Sequence, residues 1–565
     1  MIAFRRLALP LLLLAACENG NVGKRPPENE MFFPSGLLLD PRALDGEAAK
    51  YLFVVNSNND LSYNAGTVAA IDLERYFASW QLDEHYNVDP YCDKPNGRCV
   101  HDIGSAVSDA FPCRRLALLP QVVECDEAPF IDHFVRTGDF ATVLTSSCND
   151  ENHVAGEPCA QPRLWLPVRG DPSVTYIDLA DGPAGSDPGF ECGQGTDKDG
   201  RCDPEHRLTH LLNDRDLVEM DREPFNMLIS PTQPLAYVTH SDGSALSLVD
   251  LRQPQQCCYP SAEPTCNIES IRECVCDAIP ACCGDAAPWD AACVAEAEQC
   301  GVCKPAMIDQ TVAFPSLGGL PGGLGLAERP CTPGDDAPSI TLDCTRPLVY
   351  AAFRYSRLLV SFTVQGVTPE ELDDPEFEQQ CAGPGEIDQP LKVACDPRVR
   401  SQRQVFPGGL DPGGASYTPV LGDIAFADET GDQLLVVQTN PGALLLLDTS
   451  VGPDGEVVDN PSRPPLEICD QPTRMKLYEE AGQRFALISC YRAALIYVVD
   501  LDAFRVVEKI VAGTGPFEVE IDRVRRLLYV TNNLEASISI IDLAQDRPNR
   551  FNEIARIGLQ EPFSR

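Results

Sequence analysis

A seven-bladed β-propeller, all-β and carrying a small disulfide-rich insertion, is the fold this sequence predicts. Three observations predict it. Short runs rich in β-branched and aromatic residues recur along the chain, each bounded by turn residues. A strand–turn–strand unit keeps one internal length through seven repeats. Of twenty-five cysteines, setting Cys17 apart leaves twenty-four, an even set of the kind a disulfide framework needs.

The clearest unit lies near the C-terminus. Pro516 to Asp522, Leu527 to Asn532 and Ser537 to Leu543 read as three strands, and Ile554 to Gly558 as a fourth. Asn532 lies ten residues before Asp542, and the same offset joins Cys490 to Asp500, Gln438 to Asp448, His240 to Asp250 and Val168 to Asp178. Phe353 and Thr363 keep it with Thr in place of Asp, and Asn56 and Asp72 fit with a six-residue insertion. One such sheet cannot bury both faces alone, whereas a ring of them hides the faces and leaves only short edges. The Asp closing the third strand reads as a turn cap. The first strand begins near Phe33 to Asp40 and the last ends the chain, so the blades are whole in sequence. The ring is expected to close by packing blade 7 against blade 1 without sharing strands.

Tyr529-Val530-Thr531-Asn532, echoed by Tyr237-Val238-Thr239, resembles the YVTN-type propeller repeat. The resemblance implies the same propeller fold, and some propellers related to this type resemble lactonases while others carry haem or quinone chemistry.

The N-terminus reads as a targeting segment. Arg5 and Arg6 precede an apolar run from Leu7 to Leu14, broken by Pro10, and Leu14-Ala15-Ala16-Cys17 closes it. The run is too short for a bilayer, which takes roughly 20 apolar residues. This order resembles the bacterial lipobox. The resemblance implies removal of residues 1–16 and acylation of Cys17, and Glu18 after it points to the outer membrane. The organisation expected is a signal peptide at 1–16, a lipid-anchored linker at 17–30 and blades 1–3 at 31–256. A cysteine-rich insertion at 257–303 and the rest of the ring at 304–565 follow.

Net charge is −41, and loss of Arg5 and Arg6 makes it more negative. Such a field repels nucleic acid and anionic headgroups. The acids are scattered, as on a solvated surface. The partners expected are therefore the membrane, through the N-terminal lipid, and a protein or envelope polymer, with no nucleic acid.

Fourteen cysteines fall into near neighbours: Cys92 with Cys99, Cys113 with Cys125, Cys148 with Cys159, Cys192 with Cys202, Cys331 with Cys344, Cys381 with Cys395, and Cys469 with Cys490. Proximity suggests these pairs, although sequence does not fix connectivity. The other ten lie between Cys257 and Cys303, in a stretch that resembles a small cysteine-rich module of secreted bacterial proteins. Cys300-Gly-Val-Cys303 could be half of a zinc site, but the module has no His, so disulfides are favoured. Lys304 stands where a c-type haem attachment needs His.

Other constellations take structural readings. His206 and His210, four apart, could share a helical face, yet no third zinc ligand is evident and a surface pair is favoured. Asp197, Asp199 and Asp203 resemble a fragment of a calcium loop without its twelfth-position Glu, where Leu208 stands. Arg169-Gly170-Asp171 spells an adhesion tripeptide but sits in a hairpin turn. Gly318-Gly319 and Gly322-Gly323 lack the Lys-Ser of a phosphate loop, and there is no Gly-x-Ser-x-Gly elbow. No catalytic, cofactor or metal residue is assigned. The function expected is a binding or scaffolding platform at the cell envelope. A propeller enzyme of lactonase type and a structural surface-layer component are the alternatives, and the lack of histidine after His240 weighs against an imidazole-rich site. Replacing Cys17 with Ser should release the protein from the membrane fraction or leave it uncleaved. Fractionation that finds Cys17→Ser still acylated and membrane-bound would remove the basis for the anchor.

Overall fold

A computed structural model of the chain describes residues 23–559. Outside it lie 83–87, 91–111, 149–158, 181–186, 194–199, 252–268, 284–287, 301–305, 308–310, 314–322, 331–346, 355–357, 366–394, 405–419, 453–456 and a few shorter breaks. Seven antiparallel sheets follow one another along the chain, each built on four consecutive strand positions, as a seven-bladed propeller requires. The first blade is Pro34–Leu39, Tyr51–Asn56, Gly66–Asp72 and Ile131–Thr137. The last is Pro516–Asp522, Leu527–Asn532, Ser537–Asp542 and Glu553–Ile557.

The repeat offset is a hairpin register. The start of each second strand faces the end of the third in all seven blades: Tyr51↔Asp72, Arg163↔Asp178, Leu235↔Asp250, Leu348↔Thr363, Gln433↔Asp448, Phe485↔Asp500 and Leu527↔Asp542. The terminal Asp caps the following turn as expected. Asp72 accepts from Arg75 N at 2.8 Å, Asp448 from Ser450 N at 3.0 Å, Asp500 from Ala503 N at 2.8 Å and Asp542 from Ala544 N at 3.0 Å. Asp178 instead takes the Arg163 guanidinium at 2.6 and 3.0 Å.

The core lies between blades. Successive residues of a strand point to opposite faces, and in this ring both faces are covered. Leu527 and Tyr529 pack toward blade 1, whereas Leu528 and Val530 pack toward blade 6. Each of the seven adjacent pairs of blades has its own apolar cluster among the described residues. This is why the second strands, such as Tyr51–Asn56 and Leu348–Phe353, are buried along their whole length.

The closure of the ring differs from expectation. The blades are whole in sequence, but strands are shared at the seam. A hairpin from the long loop of blade 1, Cys113–Arg115 and Val123–Cys125, adds to the outer edge of blade 7 and makes it six-stranded. Val123, Glu124 and Cys125 pair in parallel with Ala555, Arg556 and Ile557. An unpaired edge strand exposes donors and acceptors that seek a partner, and this hairpin covers the edge.

Of the suggested disulfides, Cys113–Cys125, Cys148–Cys159, Cys192–Cys202 and Cys469–Cys490 are formed. The pairs Cys92/Cys99 and Cys331/Cys344 fall on residues outside those described, as do Cys381 and Cys17, while Cys395 opens a strand, Cys395–Gln404, in blade 4. Within the insertion, helices Glu269–Ala278 and Ala291–Cys300 are tied by Cys274–Cys300, Cys276–Cys283 and Cys282–Cys293 around a buried Trp289. Cys300 is thus taken by a disulfide. Cys257, Cys258, Cys266 and Cys303 lie outside the described residues.

Strand direction divides the loops between two faces. The loops joining strands one–two and three–four leave one face, which carries Cys148–Cys159. The three–four loops of blades 1 and 2 run down the outer edge, so that Cys113–Cys125 ends beside Ile557 and Gly558 at the opposite face and Cys202 beside Arg136. The insertion, between Asp250 and Thr311, also leaves a third strand for a fourth. The two–three and blade-to-blade loops share the other face, with Cys469–Cys490. The N-terminal segment lies with the second set, since Lys24 O accepts from Asn64 N, in the two–three loop of blade 1, at 3.0 Å.

Glu127 joins the covering hairpin to the blade 1 entry by accepting from Met31 N at 3.1 Å. Burial raises its pKa from 4.5 to about 7, helped by the charges of Asp126 and Glu30 and opposed by backbone hydrogen bonds. A folded-state pKa above the unfolded one favours the protonated fold. The stability so contributed is complete below 4.5 and is lost as pH rises to about 7. Glu127→Gln should flatten this slope. In urea denaturation the variant should be more stable than the parent at about pH 8 and indistinguishable at about pH 4. Equal stability at the higher pH would contradict the assignment.

Candidate functional site

The first strand of six of the seven blades, all but blade 2, is irregular at one recurring point. Its register shifts between Pro34 and Gly36, Pro224 and Asn226, Gly323 and Gly325, Leu421 and Ile424, Pro472 and Met475, and Pro516 and Val519. A bulge re-aims a side chain that a regular strand would direct elsewhere. Here the bulged positions include Phe225, Asp423, Arg474, Phe517 and Glu518. The Arg474 guanidinium lies 5.6 Å from the rings of both Phe225 and Phe517. Phe225 belongs to blade 3 and Arg474 to blade 6, which are not neighbours. Their contact therefore spans the central channel.

Five charges gather there. Arg474 Nε lies 3.3 Å from Glu518 Oε2, and Lys476 Nζ lies 3.1 Å from Glu520 Oε2. Asp423 accepts from Met475 N and Ile424 N at 3.0 and 3.1 Å. Burial raises the pKa of Glu518 and of Asp423, against the pull of Arg474. The negative charge of Glu520 pushes Lys476 up to about 12. Lys476 is enclosed by the ring and still 46% open to solvent, as a residue facing a channel is. Arg474 is only 5% exposed. Alternating charges at low exposure lock the first strands of blades 5, 6 and 7 together at the axis.

The bulges lie at the starts of the first strands, which border the face of the two–three and blade-to-blade loops. The residue entering the first strand there is left-handed in blades 1, 3, 6 and 7, at Phe33, Glu223, Gln471 and Gly515, each followed by Pro. Its carbonyl accepts from the residue after the second strand: Ser57, Ser241, Tyr491 and Asn533 respectively, at 3.1, 2.7, 3.2 and 2.9 Å. These bonds fix the rim. Arg169 lies on it, 5.4 Å from the Phe140 ring, 5.8 Å from the Phe225 ring and 3.5 Å from Glu223. Farther round, across blades 4 to 6, a cavity of about 350 Å³ is lined by Arg354, Val420, Thr439, Asn440, Asp470, Gln471 and Arg492.

The residues singled out from sequence are used elsewhere. Arg169-Gly170-Asp171 does form a hairpin turn, but its charges are engaged: Asp171 accepts from Arg201 at 2.9 Å and Arg207 at 3.2 Å. His206 and His210 share no helical face. Pro204–His206 is a single 3₁₀ turn and His210 opens a strand. The His206 ring sits 4.6 Å from Tyr176, and burial lowers its pKa. Asp197 and Asp199 lie outside the described residues, and Asp203 is buried. Both ring nitrogens of the buried His240 are occupied, by Ser247 Oγ at 2.8 Å and Arg222 O at 3.1 Å. Among the described residues no group of three His, Cys, Asp or Glu is arranged to hold a metal ion. The channel charges and the rim cavity escaped sequence reading because they come from separate blades. A trace of them was present in Arg474-Met-Lys476 and Glu518-Val-Glu520, where like charges alternate with an apolar residue.

No family model matches the sequence, and no curated protein matches it. The chain is similar to several solved structures. Hydrazine synthase of Kuenenia stuttgartiensis is 11% identical, with 92% of this chain and 98% of that chain covered and a TM-score of 0.42. The periplasmic gluconolactonase of Pseudomonas aeruginosa is 11% identical over 86% and 87%, with a TM-score of 0.38. AztD of Citrobacter koseri is 11% identical over 93% and 86%, with a TM-score of 0.33. No activity passes from them to this chain.

Arg474→Ala should destabilise the fold by about 3–5 kcal/mol, because it leaves Glu518 buried and unpaired. Arg492 pairs with Asp470 at 3.7 Å with both side chains about two-thirds exposed, so Arg492→Ala should cost less than about 1 kcal/mol. Denaturant titration of the two variants reads the difference, and equal losses would place the channel pair in solvent.

Proposed function

We propose that the protein is a lipid-anchored, extracytoplasmic binding platform of the cell envelope, held by Cys17 to the outer membrane and recognising a protein or envelope polymer through the face that bears the stapled loops. One observation carries this reading: the Cys148–Cys159 loop of blade 2 and the connections into the insertion leave the same side of the ring. The N-terminal segment packs on the other side, beside Asn64. A tether there turns the elaborated loops away from the membrane. Long loops fixed on a rigid scaffold are where binding residues concentrate. The helices of the insertion, bonded to each other through Cys274–Cys300, form a rigid unit of their own, suited to presenting one fixed surface.

The test is crosslinking of the native lipidated protein in intact cells, followed by purification and identification of what is attached. Deleting 257–303 should abolish the main crosslinked partner while leaving membrane association unchanged. An unaltered partner after the deletion would refute the role given to this face.

A further inference from the structure

We infer that the opposite face carries a second site, a polar trough across blades 4 to 6 that binds a sugar acid. The trough has two compartments. The first is the cavity of about 350 Å³ at the channel rim. The second, of about 480 Å³, is lined by Gln438, Pro441, Ala443, Glu467 and Ile468 among others, and shares Asn440 and Asp470 with the first. Volumes of this order suit small organic ligands.

The lining names the chemistry. Of the seven residues around the first compartment only Val420 is apolar. Arg354 and Arg492 bring two guanidinium groups into it, in a chain whose net charge is −41. A guanidinium matches the planar, two-oxygen geometry of a carboxylate. Asp470 faces the same space, and its loose, exposed pair with Arg492 is cheap to open. Thr439, Asn440, Asp470 and Gln471 supply the mixed donors and acceptors that a ring of hydroxyls requires. Gln471 is held in place at φ 54°, with its carbonyl bonded to Tyr491 N.

The second compartment points to the same ligand independently. Gln438 lines it and is only 3% exposed. Its Nε2 donates to Pro441 O at 2.6 Å, while its Oε1 is buried without a hydrogen-bond partner. A buried acceptor left unpaired is costly. Oε1 has no exposed surface, so a hydroxyl in this compartment satisfies it only once the side chain turns toward the cavity. A carboxylate in the first compartment and hydroxyls in both describe a uronic acid, either as a free monosaccharide in the first or as the acidic end of an otherwise neutral oligosaccharide spanning the two.

The experiment is calorimetric titration of the intact protein with galacturonate, a neutral trisaccharide ending in one galacturonate, and maltotriose, the last as an uncharged control. The acidic trisaccharide should bind, and maltotriose should bind at least about tenfold more weakly, the equivalent of one charge-assisted hydrogen bond. Arg492→Ala should reduce acid binding by a similar factor with an unchanged melting temperature. Gln438→Leu should weaken the trisaccharide and leave galacturonate unaffected. Binding of the monosaccharide alone would overturn the two-compartment trough. Absence of binding by either acid at millimolar concentration, equal binding of maltotriose, or wild-type binding by Arg492→Ala would overturn the site.

Discussion

A ring of blades must meet itself, and the rest of this structure depends on how blade 7 is joined to blade 1. Each blade gains its core from its two neighbours, so a seam left loose would expose apolar faces on both sides. The cluster at the seam is the largest of those between blades, and it draws on the covering hairpin as well as the two sheets. Val123 and Cys125 of the hairpin are fully buried in it, beside Ala555 and Ile557. Arg525 Nη1 also donates across the seam to Ala49 O at 2.9 Å, and Asn533 Nδ2 to Pro34 O at 3.1 Å. The outer edge, the middle of the sheets and the channel rim are thus all tied between the first blade and the last.

At the axis the means of closure is different. The bulged first strands bring ionised groups together where apolar side chains would otherwise meet. Such a cluster is a weak source of stability, since desolvation offsets most of the attraction. Its effect is geometric: Arg474 reaches Phe225 across the channel and Glu518 in the next blade, so the relative placement of blades 3, 6 and 7 is fixed by one side chain. The two faces that this frame holds apart differ in character. One bears the Cys148–Cys159 loop and the connections into the insertion, the other a polar rim with arginines, and the negative charge of the chain as a whole does not describe the rim.

The architecture was legible because it is local. Asn532 and Asp542 are ten residues apart in sequence and belong to one hairpin, so a fixed offset records a fixed turn. Cys148 and Cys159, or Cys192 and Cys202, pair across short spans for the same reason. The six-residue insertion between Asn56 and Asp72 is a longer two–three loop, and the register on either side is unchanged. What escaped was non-local. The hairpin Cys113–Cys125 was read as a closed loop of blade 1, which it is, but nothing in its spacing says that it pairs with strand Glu553–Ile557. His206 and His210 looked helical by spacing, yet Pro204 and the following strand pairing of Arg207 with Thr175 override that periodicity. Asp423, Arg474 and Glu518 are dispersed over nearly a hundred residues, and only the common bulge brings them to one place.

The seam can be examined directly by native-state hydrogen exchange. If the hairpin closes the ring, the amides of Val123–Cys125 and Ala555–Ile557 exchange only through global unfolding. They should then be as protected as those of Leu527–Asn532 in the middle of blade 7. Protection of Leu527–Asn532 combined with rapid exchange at both Val123–Cys125 and Ala555–Ile557 would contradict this account, because the edge would then open without the ring.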